Sequence, residues 1–491
     1  MRANSMTRID SKLIARVAGP VLFALLLAFG PSDLSSDARK TLGVTAWMIT
    51  WLITEAVPIV ATSLLPIVLF PILGIASSRE AAAPYGNDLV FLFMGGFFLA
   101  AALEYWQSHV RVAYKLVLAI GLTGKRAVLG IMLATGLISM WISNTATAAM
   151  MYPIAIAVGA LFAQDRDGDQ IRTALMLGVA YAATLGGNAT MIGSPPNLIV
   201  VGAMKELTGT SVSFAQFMAM GLPITLILLP ICWVLLVYGC FRSKADLGAN
   251  ASDMLKTRLA ALGPIQGGEA RVLTIFTATA LAWFLRERKE FGSFTIPGLV
   301  DLFPKLSDAA IGVTAAILMF LVSGTTNEGQ RRPLLTWSEA RTIPWDVLLF
   351  FGGGLSLAEA IEKHGLTTWM AGGLSGLAGL PTFVIYLGLA VTVLILSELA
   401  SNLAVAAMMM PITVALAKSL GQPPMVLMLV AGFAASTGFM LPVATPPNAI
   451  VFGSGQIKVR DMAKAGFLLD IFAVIVVVLV ISLIAPMVLT P

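Results

Sequence analysis

One pattern constrains this chain more than any other: a polar interruption in apolar sequence that occurs twice. Residues Trp141–Pro153 read WISNTATAAMMYP, and residues Glu398–Pro411 read ELASNLAVAAMMMP. Each carries Ser-Asn at its centre, Ser143-Asn144 and Ser401-Asn402, 258 residues apart. Each is followed by a Pro-Pro-Asn segment, Gly193-Ser194-Pro195-Pro196-Asn197 and Ala444-Thr445-Pro446-Pro447-Asn448, 251 residues apart. Consecutive prolines cannot continue a regular helix, so each segment is a break. The register also extends upstream. Asp88, Gly95-Gly96 and Glu104 match Asp346, Gly353-Gly354 and Glu362 at the same 258 offset. Such periodicity marks two copies of one structural unit. In a membrane protein, paired interruptions at corresponding places in two halves point to a transport site.

Composition supplies the medium. Of 491 residues, 58% are hydrophobic and 12% charged, against about 25% charged in a soluble protein. Many runs exceed the ~18 apolar residues of a spanning helix, and no ten-residue alternation suggests a barrel. The expectation is an all-α polytopic membrane protein with the lipid bilayer as its surroundings. The net charge of +5 resides in short loops, where the positive-inside rule accounts for it, so no nucleic-acid partner is expected. Cys232 and Cys240 read as apolar fillers, and His109 and His364 are too separate for a metal site. The polar start, Met1–Lys12, precedes a stretch of helix length without a clear cleavage site, which reads as a retained first helix.

The first half is 1–241. It holds helices over Leu13–Gly30, Thr41–Ile59, Ala61–Ala76 and Asp88–Trp106, then a mixed segment Ser108–Lys125 that reads as an interfacial helix. The first cassette lies in 126–163, followed by a broken helix 171–203 and a helix to Phe241. A polar, cytoplasmic linker is expected over 242–271. The second half, 272–491, carries its cassette in 382–420 and its broken helix in 424–455, and ends in a helix over Ala465–Leu489. As one straight helix, 126–163 would be ~57 Å long, nearly twice a ~30 Å hydrocarbon core. It is therefore two spans or a re-entrant hairpin. A polar tip at mid-membrane is tolerated only inside protein or against a wet cavity. Most of the 31 Lys and Arg fall on one side if the N-terminus is cytoplasmic and the C-terminus outside. That arrangement has about eleven transmembrane helices plus two re-entrant hairpins, and it makes the halves inverted repeats in a cell inner (plasma) membrane.

Hydroxyls, amide oxygens and freed backbone carbonyls are hard, neutral ligands that suit a small hard cation such as Na⁺. Half-helix N-termini present partial positive charge to an anion. Ser139 and Ser397 each precede the Ser-Asn serine by four residues, on the same helix face. No Arg or Lys is near either motif in sequence, so an anion would rely on backbone N–H groups, amides, hydroxyls and bound cations. A single Ser/Asn cluster could be interhelical glue; two at matched spacing, each with its own break, argue for a site. Glu398 has no counterpart, since position 140 is Met. It reads either as a structural hydrogen-bond partner or as a coupling group. Glu55, Asp88 and Asp346 read as interfacial or capping residues. No catalytic constellation is legible, so an enzyme is not expected.

These residues place the chain near a known family. Ser436–Val451 (STGFMLPVATPPNAIV), Trp51-x-x-Thr54-Glu55-Ala56-Val57-Pro58, the Ser143-Asn144-Thr145 cassette and GSPPN resemble the motifs of the divalent-anion/sodium symporters. That family carries di- and tricarboxylates or sulfate. The resemblance implies a homodimer whose protomers pair a scaffold domain with a mobile transport domain in an elevator mechanism. It implies one sodium site at Ser139, Ser143, Asn144 and the Gly193 carbonyl, and another at Ser397, Ser401, Asn402 and the Ala444 carbonyl. It places the substrate carboxylates at Asn144, Thr145, Ser194, Asn402 and Thr445, with Pro446 beside them. The chain departs from the pattern at Leu403, where the family often has Thr, so one hydroxyl is lost from the second half and anion binding is expected to be asymmetric.

The leading expectation is sodium-coupled symport of C4-dicarboxylates such as succinate, fumarate or malate. Sodium-independent exchange of the same anions, and sodium-coupled citrate or sulfate transport, are the near alternatives. Proton coupling would fall to Glu398. An anion channel would need a continuous pore with repeated rings, and none is legible.

Overall fold

The computed structural model describes residues 3–121, 123–162, 167–242, 250–265, 267–291, 294–326, 329–377 and 379–489. The chain is helical almost throughout. Among the described residues, the strands form two short antiparallel hairpins, Lys289–Phe291 with Phe294–Ile296 and Ser323–Thr325 with Arg331–Pro333. Both lie in the polar connections of the second half, where the charged RERKE and Arg331-Arg332 segments cannot enter a membrane.

Among the described residues, six helical stretches are long and apolar enough to cross a bilayer: 12–29, 78–105, 214–240, 382–399, 402–420 and 459–488. Others are shorter or interrupted. Ile59–Ser63 and Leu65–Leu73 replace the single helix expected over Ala61–Ala76, broken at Leu64 ahead of Pro66. Helix Ser36–Thr54 starts earlier than expected because Ser35 caps it, accepting from the Ala38 N–H at 3.2 Å. Residues 243–249 and 266 of the expected linker 242–271, and residue 163 of the segment 126–163, lie outside the described residues. The rest of that linker is structured: it holds helix Asn250–Ala261 and the start of helix Gly267–Phe284.

The segment expected at the interface is a helix, Ser108–Ile120, with one face buried. Arg111 on that face forms a two-pronged ion pair with Glu269 at 2.7 and 2.9 Å and donates to the Gly263 carbonyl at 2.8 Å. This pair ties the first half to the linker region.

The halves contact one another reciprocally. Helix Asp88–Tyr105 crosses helix Asp308–Leu321, and helix Trp345–Lys363 crosses Ile59–Ser63. At each crossing one glycine of the matched Gly-Gly pair faces backbone. A Cβ on Gly95 would sit 2.5 Å from the Gly312 carbonyl carbon, and one on Gly353 would sit 2.2 Å from the Ser63 carbonyl oxygen. Small residues thus let the helices approach closely in both halves. Around the cassettes, helix Asn144–Ala160 packs on Pro446–Phe452 while helix Asn402–Leu420 packs on Pro195–Thr208. Reciprocal exchange of this kind is the property of a two-fold arrangement, here within one chain.

Candidate functional site

Each cassette folds as a helix, a short turn and a second helix. The first has legs Gly124–Ser139 and Asn144–Ala160, and the second has Thr382–Leu399 and Asn402–Leu420. The turns fall on the polar residues because Ser143 and Ser401 stand at the N-cap positions of the returning helices. Behind each cassette a helix stops and restarts. The first stops at Gly187 and restarts at Pro195; the second stops at Ala435 and restarts at Pro446. The second break begins well before the Ala444–Asn448 segment. The Ser436 and Thr437 hydroxyls turn back onto the Gly432 and Ala434 carbonyls at 3.3 and 2.9 Å, which offers the backbone an alternative to the helix. The break asparagines hold both loops from inside. Asn197 donates to Gly187 and Thr190 carbonyls at 2.9 and 2.8 Å, and Asn448 donates to the Leu441 carbonyl at 3.0 Å.

Both turns and both restarts open into a single cavity of about 910 Å³. Its lining includes Ser143, Asn144, Thr145 and Ser194 from the first half, and Ser401, Asn402, Leu403, Ala444, Thr445 and Pro446 from the second. Among the described residues, no Lys, Arg or His lines it. Instead, the N-terminal ends of helices Asn144–Ala160, Pro195–Thr208 and Asn402–Leu420 face it, with the short Pro446–Phe452 beside them. Helix N-termini carry unsatisfied N–H groups and about half a positive charge each. Ser194 and Thr445 sit at equivalent N-cap positions but differ: Thr445 accepts from the Asn448 N–H at 3.2 Å, whereas the Ser194 side chain makes no cap bond.

Ser139, Ser397 and Gly193 do not line the cavity; they lie directly behind the tips. In the first half, the Ser139 hydroxyl lies 2.9 Å from the Asn144 side-chain oxygen and 2.7 Å from the Ala183 carbonyl. With its oxygen inward, Asn144 faces acceptors only, among them the Gly193 and Ala183 carbonyls; with the amide turned, its nitrogen donates to them at 3.2 and 3.0 Å. Four neutral oxygens, from the Ser139 hydroxyl, the Asn144 amide and the Ala183 and Gly193 carbonyls, thus converge here, and hard neutral oxygens of this kind fit a small cation. The second half repeats the cluster, with the Ser397 hydroxyl 2.7 Å from the Asn402 oxygen and 2.5 Å from the Ala435 carbonyl. The fit is tighter in the first half. A Cβ on Gly187 would come within 2.0 Å of the Asn144 oxygen, whereas one on the equivalent Gly438 would meet nothing closer than 3.3 Å.

Acidic residues at the site have more specific places than interfacial capping. Glu55 ends helix Ser36–Thr54 in left-handed backbone, φ 47°, and lines the cavity together with Asp346. Asp88, by contrast, pairs with Lys205 at 2.7 Å at the start of its helix. Glu398 accepts from the Met440 and Leu441 N–H groups at 2.8 and 3.0 Å, a structural role that fastens the second break to the second hairpin. A neighbouring chamber of about 550 Å³ shares Glu55, Ile59 and Ser401 with the main cavity and is lined by Lys12 and Arg16. Basic groups distant in sequence thus approach the second motif in space. Sequence reasoning also passed over Asp470, a buried carboxyl in the last helix. An acid set within the apolar part of a thirty-residue helix, beyond its charged first turns, was the signal that could have found it.

A polytopic helical fold, with two interrupted cassettes converging on a cavity of neutral oxygens and helix N-termini, defines a membrane transporter rather than an enzyme. The comparisons agree. The family model described as the sodium:sulfate symporter transmembrane region matches residues 10–490, and the chain belongs to that family. It is 38% identical over 487 residues, 97% of this chain and 92% of the relative, to the sodium-dependent dicarboxylate transporter SdcS of Staphylococcus saprophyticus. It is 40% identical over 486 residues, with the same two shares, to SdcS of a Staphylococcus aureus strain. Among solved structures, the YdaH transporter of Alcanivorax borkumensis shares the fold, with a TM-score of 0.54 at 13% identity, covering 91% of this chain and 98% of that one.

Proposed function

We propose that this protein is a sodium-coupled symporter of divalent organic anions, with C4-dicarboxylates such as succinate, fumarate and malate as its substrates. The observation that carries the reading is one cavity faced by helix N-termini and flanked by two oxygen clusters, with no basic side chain in its lining. Sodium is cargo here. Ser139, Ser143, Asn144 and the Gly193 carbonyl would hold one ion, and Ser397, Ser401, Asn402 and the Ala444 carbonyl the other. Each asparagine then has two faces, one toward its cation cluster and one toward the cavity. Substrate carboxylates would meet Asn144, Thr145, Ser194, Asn402 and Thr445. The bound cations supply charge that the side chains lack, so anion affinity should depend on sodium. The relatives' names point to the same ion and substrate class, and the family's name keeps sulfate, with citrate, as the alternative cargo.

The two tips meet at one interior cavity beside both helix breaks, which supports re-entrant hairpins entering from opposite sides. The cavity lining includes Thr342, Pro344 and Asp346, next to the basic segment before them, and the adjoining chamber carries Lys12 and Arg16. With the N-terminus cytoplasmic, the C-terminus outside and basic loops inside an inner membrane, this is an inward-facing arrangement. Movement of the cassettes past a dimeric scaffold, elevator fashion, would expose the same cavity outward.

The test is uptake of labelled succinate, citrate and sulfate into proteoliposomes, with a sodium gradient or with choline in its place. Saturable, counterflow-stimulated succinate uptake that collapses in choline is the expected result. Undiminished uptake in choline would convert the reading to exchange, and uptake that does not saturate would convert it to a channel.

A further inference from the structure

Outside the two oxygen clusters, Asp470 is a buried carboxyl without a donor. It lies in the first half of helix Val459–Val488, is 2% exposed, and neither carboxyl oxygen accepts a hydrogen bond. It faces the Glu398 carboxyl. The Phe439 N–H is close but outside bonding geometry. The Tyr181 hydroxyl, on the neighbouring helix, donates elsewhere, to the Met462 carbonyl at 3.1 Å. Buried polar atoms in native proteins are paired, and two ionised carboxylates in contact repel. A single proton between them supplies the missing donor and removes the repulsion. Both Glu398 oxygens already accept N–H bonds, from Met440 and Leu441, so the donor hydrogen belongs on Asp470.

The first half shows that the two acids belong together. Its last helix, Phe214–Val234, crosses its break as Val459–Val488 does. A Cβ on Gly221 would lie 2.2 Å from the Asn188 carbonyl oxygen, and one on Gly466 would lie 2.3 Å from that of Phe439, the equivalent residue. Four residues beyond these glycines stand Thr225 and Asp470. Thr225 donates to the Leu185 carbonyl at 2.7 Å and needs no further partner. The place of Glu398 is taken by Met140, whose carbonyl accepts from the Thr190 hydroxyl at 2.5 Å. So the first half has neither acid and the second has both, which is the pattern expected if each is tolerated only because of the other.

We propose that Asp470 is a positioning residue for the second cation site. Its carboxylic O–H donates to Glu398, Glu398 grips the Met440 and Leu441 N–H groups, and the break leading to Ala444 is thereby held against the hairpin carrying Ser397. The proposal rests on the sodium reading of that cluster. Groups behind the ligands of a metal change affinity by about ten- to a hundredfold when removed.

The experiment uses the full chain in proteoliposomes, reading sodium activation of succinate uptake, and hydrogen–deuterium exchange of the segment holding Met440 and Leu441. Asp470→Ala is expected to raise the half-saturating sodium concentration about tenfold, to leave the succinate KM at saturating sodium within about twofold, and to speed exchange at Met440 and Leu441. Asp470→Asn, whose amide N–H can replace the O–H, should keep half-saturation within about threefold of the parent and leave exchange slow. If Asp470→Ala does not fold, Asp470→Thr, which copies the first half and satisfies its hydroxyl on backbone, should give the same loss. An unchanged sodium curve and exchange in the Ala or Thr variant, or an Asn variant as impaired as Ala, overturns the proposal. If the parent protein shows no sodium dependence, the transport reading fails instead, while the exchange measurement still decides whether Asp470 clasps Glu398.

Discussion

The two cassettes use the same residue types for the oxygen cluster and differ in several of the contacts that hold it in place. In both halves a serine hydroxyl bridges the tip asparagine and a carbonyl of the broken helix. The first half then closes by steric fit: Gly187 against Asn144, and Thr190 bonded to the Met140 carbonyl. The second closes through charge, with the Glu398 carboxylate holding two N–H groups of a looser break. The anion side differs as well. Thr145 lines the cavity in the first half and Leu403 in the second. The two copies thus share the oxygen cluster and differ in how the backbone around it is held.

The comparison can be broken hardest at its glycines. Gly187→Ala would push the Asn144 side chain out of its cluster, because the new Cβ lies 2.0 Å from the asparagine oxygen. A displacement of about 1 Å at a site can cost about a hundredfold in rate, and sodium-driven succinate uptake should fall by that order. Gly438→Ala, with 3.3 Å of room, should stay near the parent. Equal damage from both would mean that the halves are fitted alike.

A second contrast lies between two ion pairs, Arg111 with Glu269 on helix Ser108–Ile120 and Lys418 of helix Asn402–Leu420 with Glu362. Arg111 and Glu269 are both 10% exposed in their pair, whereas Lys418 and Glu362 are 38% and 36% exposed in theirs. Arg111→Ala strands a buried carboxylate and should cost about 3 kcal/mol of stability. Lys418→Ala should cost about 0.5 kcal/mol. Thermal unfolding of the purified protein in detergent ranks them, and a reversed order would show that exposure is a poor guide to these anchors.

The oxygen clusters make a sharper test because there the halves should agree. Ser139→Ala and Ser397→Ala each delete one ligand, and each should raise the sodium requirement about tenfold, equivalent to about 1.4 kcal/mol. If one proves silent in sodium titrations of uptake, the chain has one working cluster and not two.

The smallest effect concerns the anion. Leu403→Thr restores a hydroxyl to the second half, and one hydrogen bond contributes about 1 kcal/mol net. The relative preference among succinate, citrate and sulfate should shift several-fold, measured by competition against labelled succinate. An unchanged profile would remove Leu403 from the substrate's surroundings.

Much of this was legible in the chain itself. The paired Ser-Asn motifs, the Pro-Pro breaks and the matched Gly-Gly pairs encode turns, interruptions and close crossings by local chemistry. Apolar run lengths define the medium, and repetition at a fixed offset defines the two-fold plan. For the same reason the oxygen-cluster residues could be named: each is a local departure from apolar sequence.

What only the tertiary structure decided concerns residues far apart along the chain. That both tips open into one cavity, that Glu55 and Asp346 join its wall, and that Lys12 and Arg16 approach Ser401 depend on packing between halves. Whether Glu398 was a structural bond or a coupling group turned on where its oxygens pointed. Asp470 went unnoticed because an acid in a helix is, in sequence, simply an acid; its meaning comes from the carboxyl opposite, 72 residues earlier. Local preferences follow from each residue and its near neighbours, whereas burial, partnership and charge balance arise only when distant segments exclude water from one another.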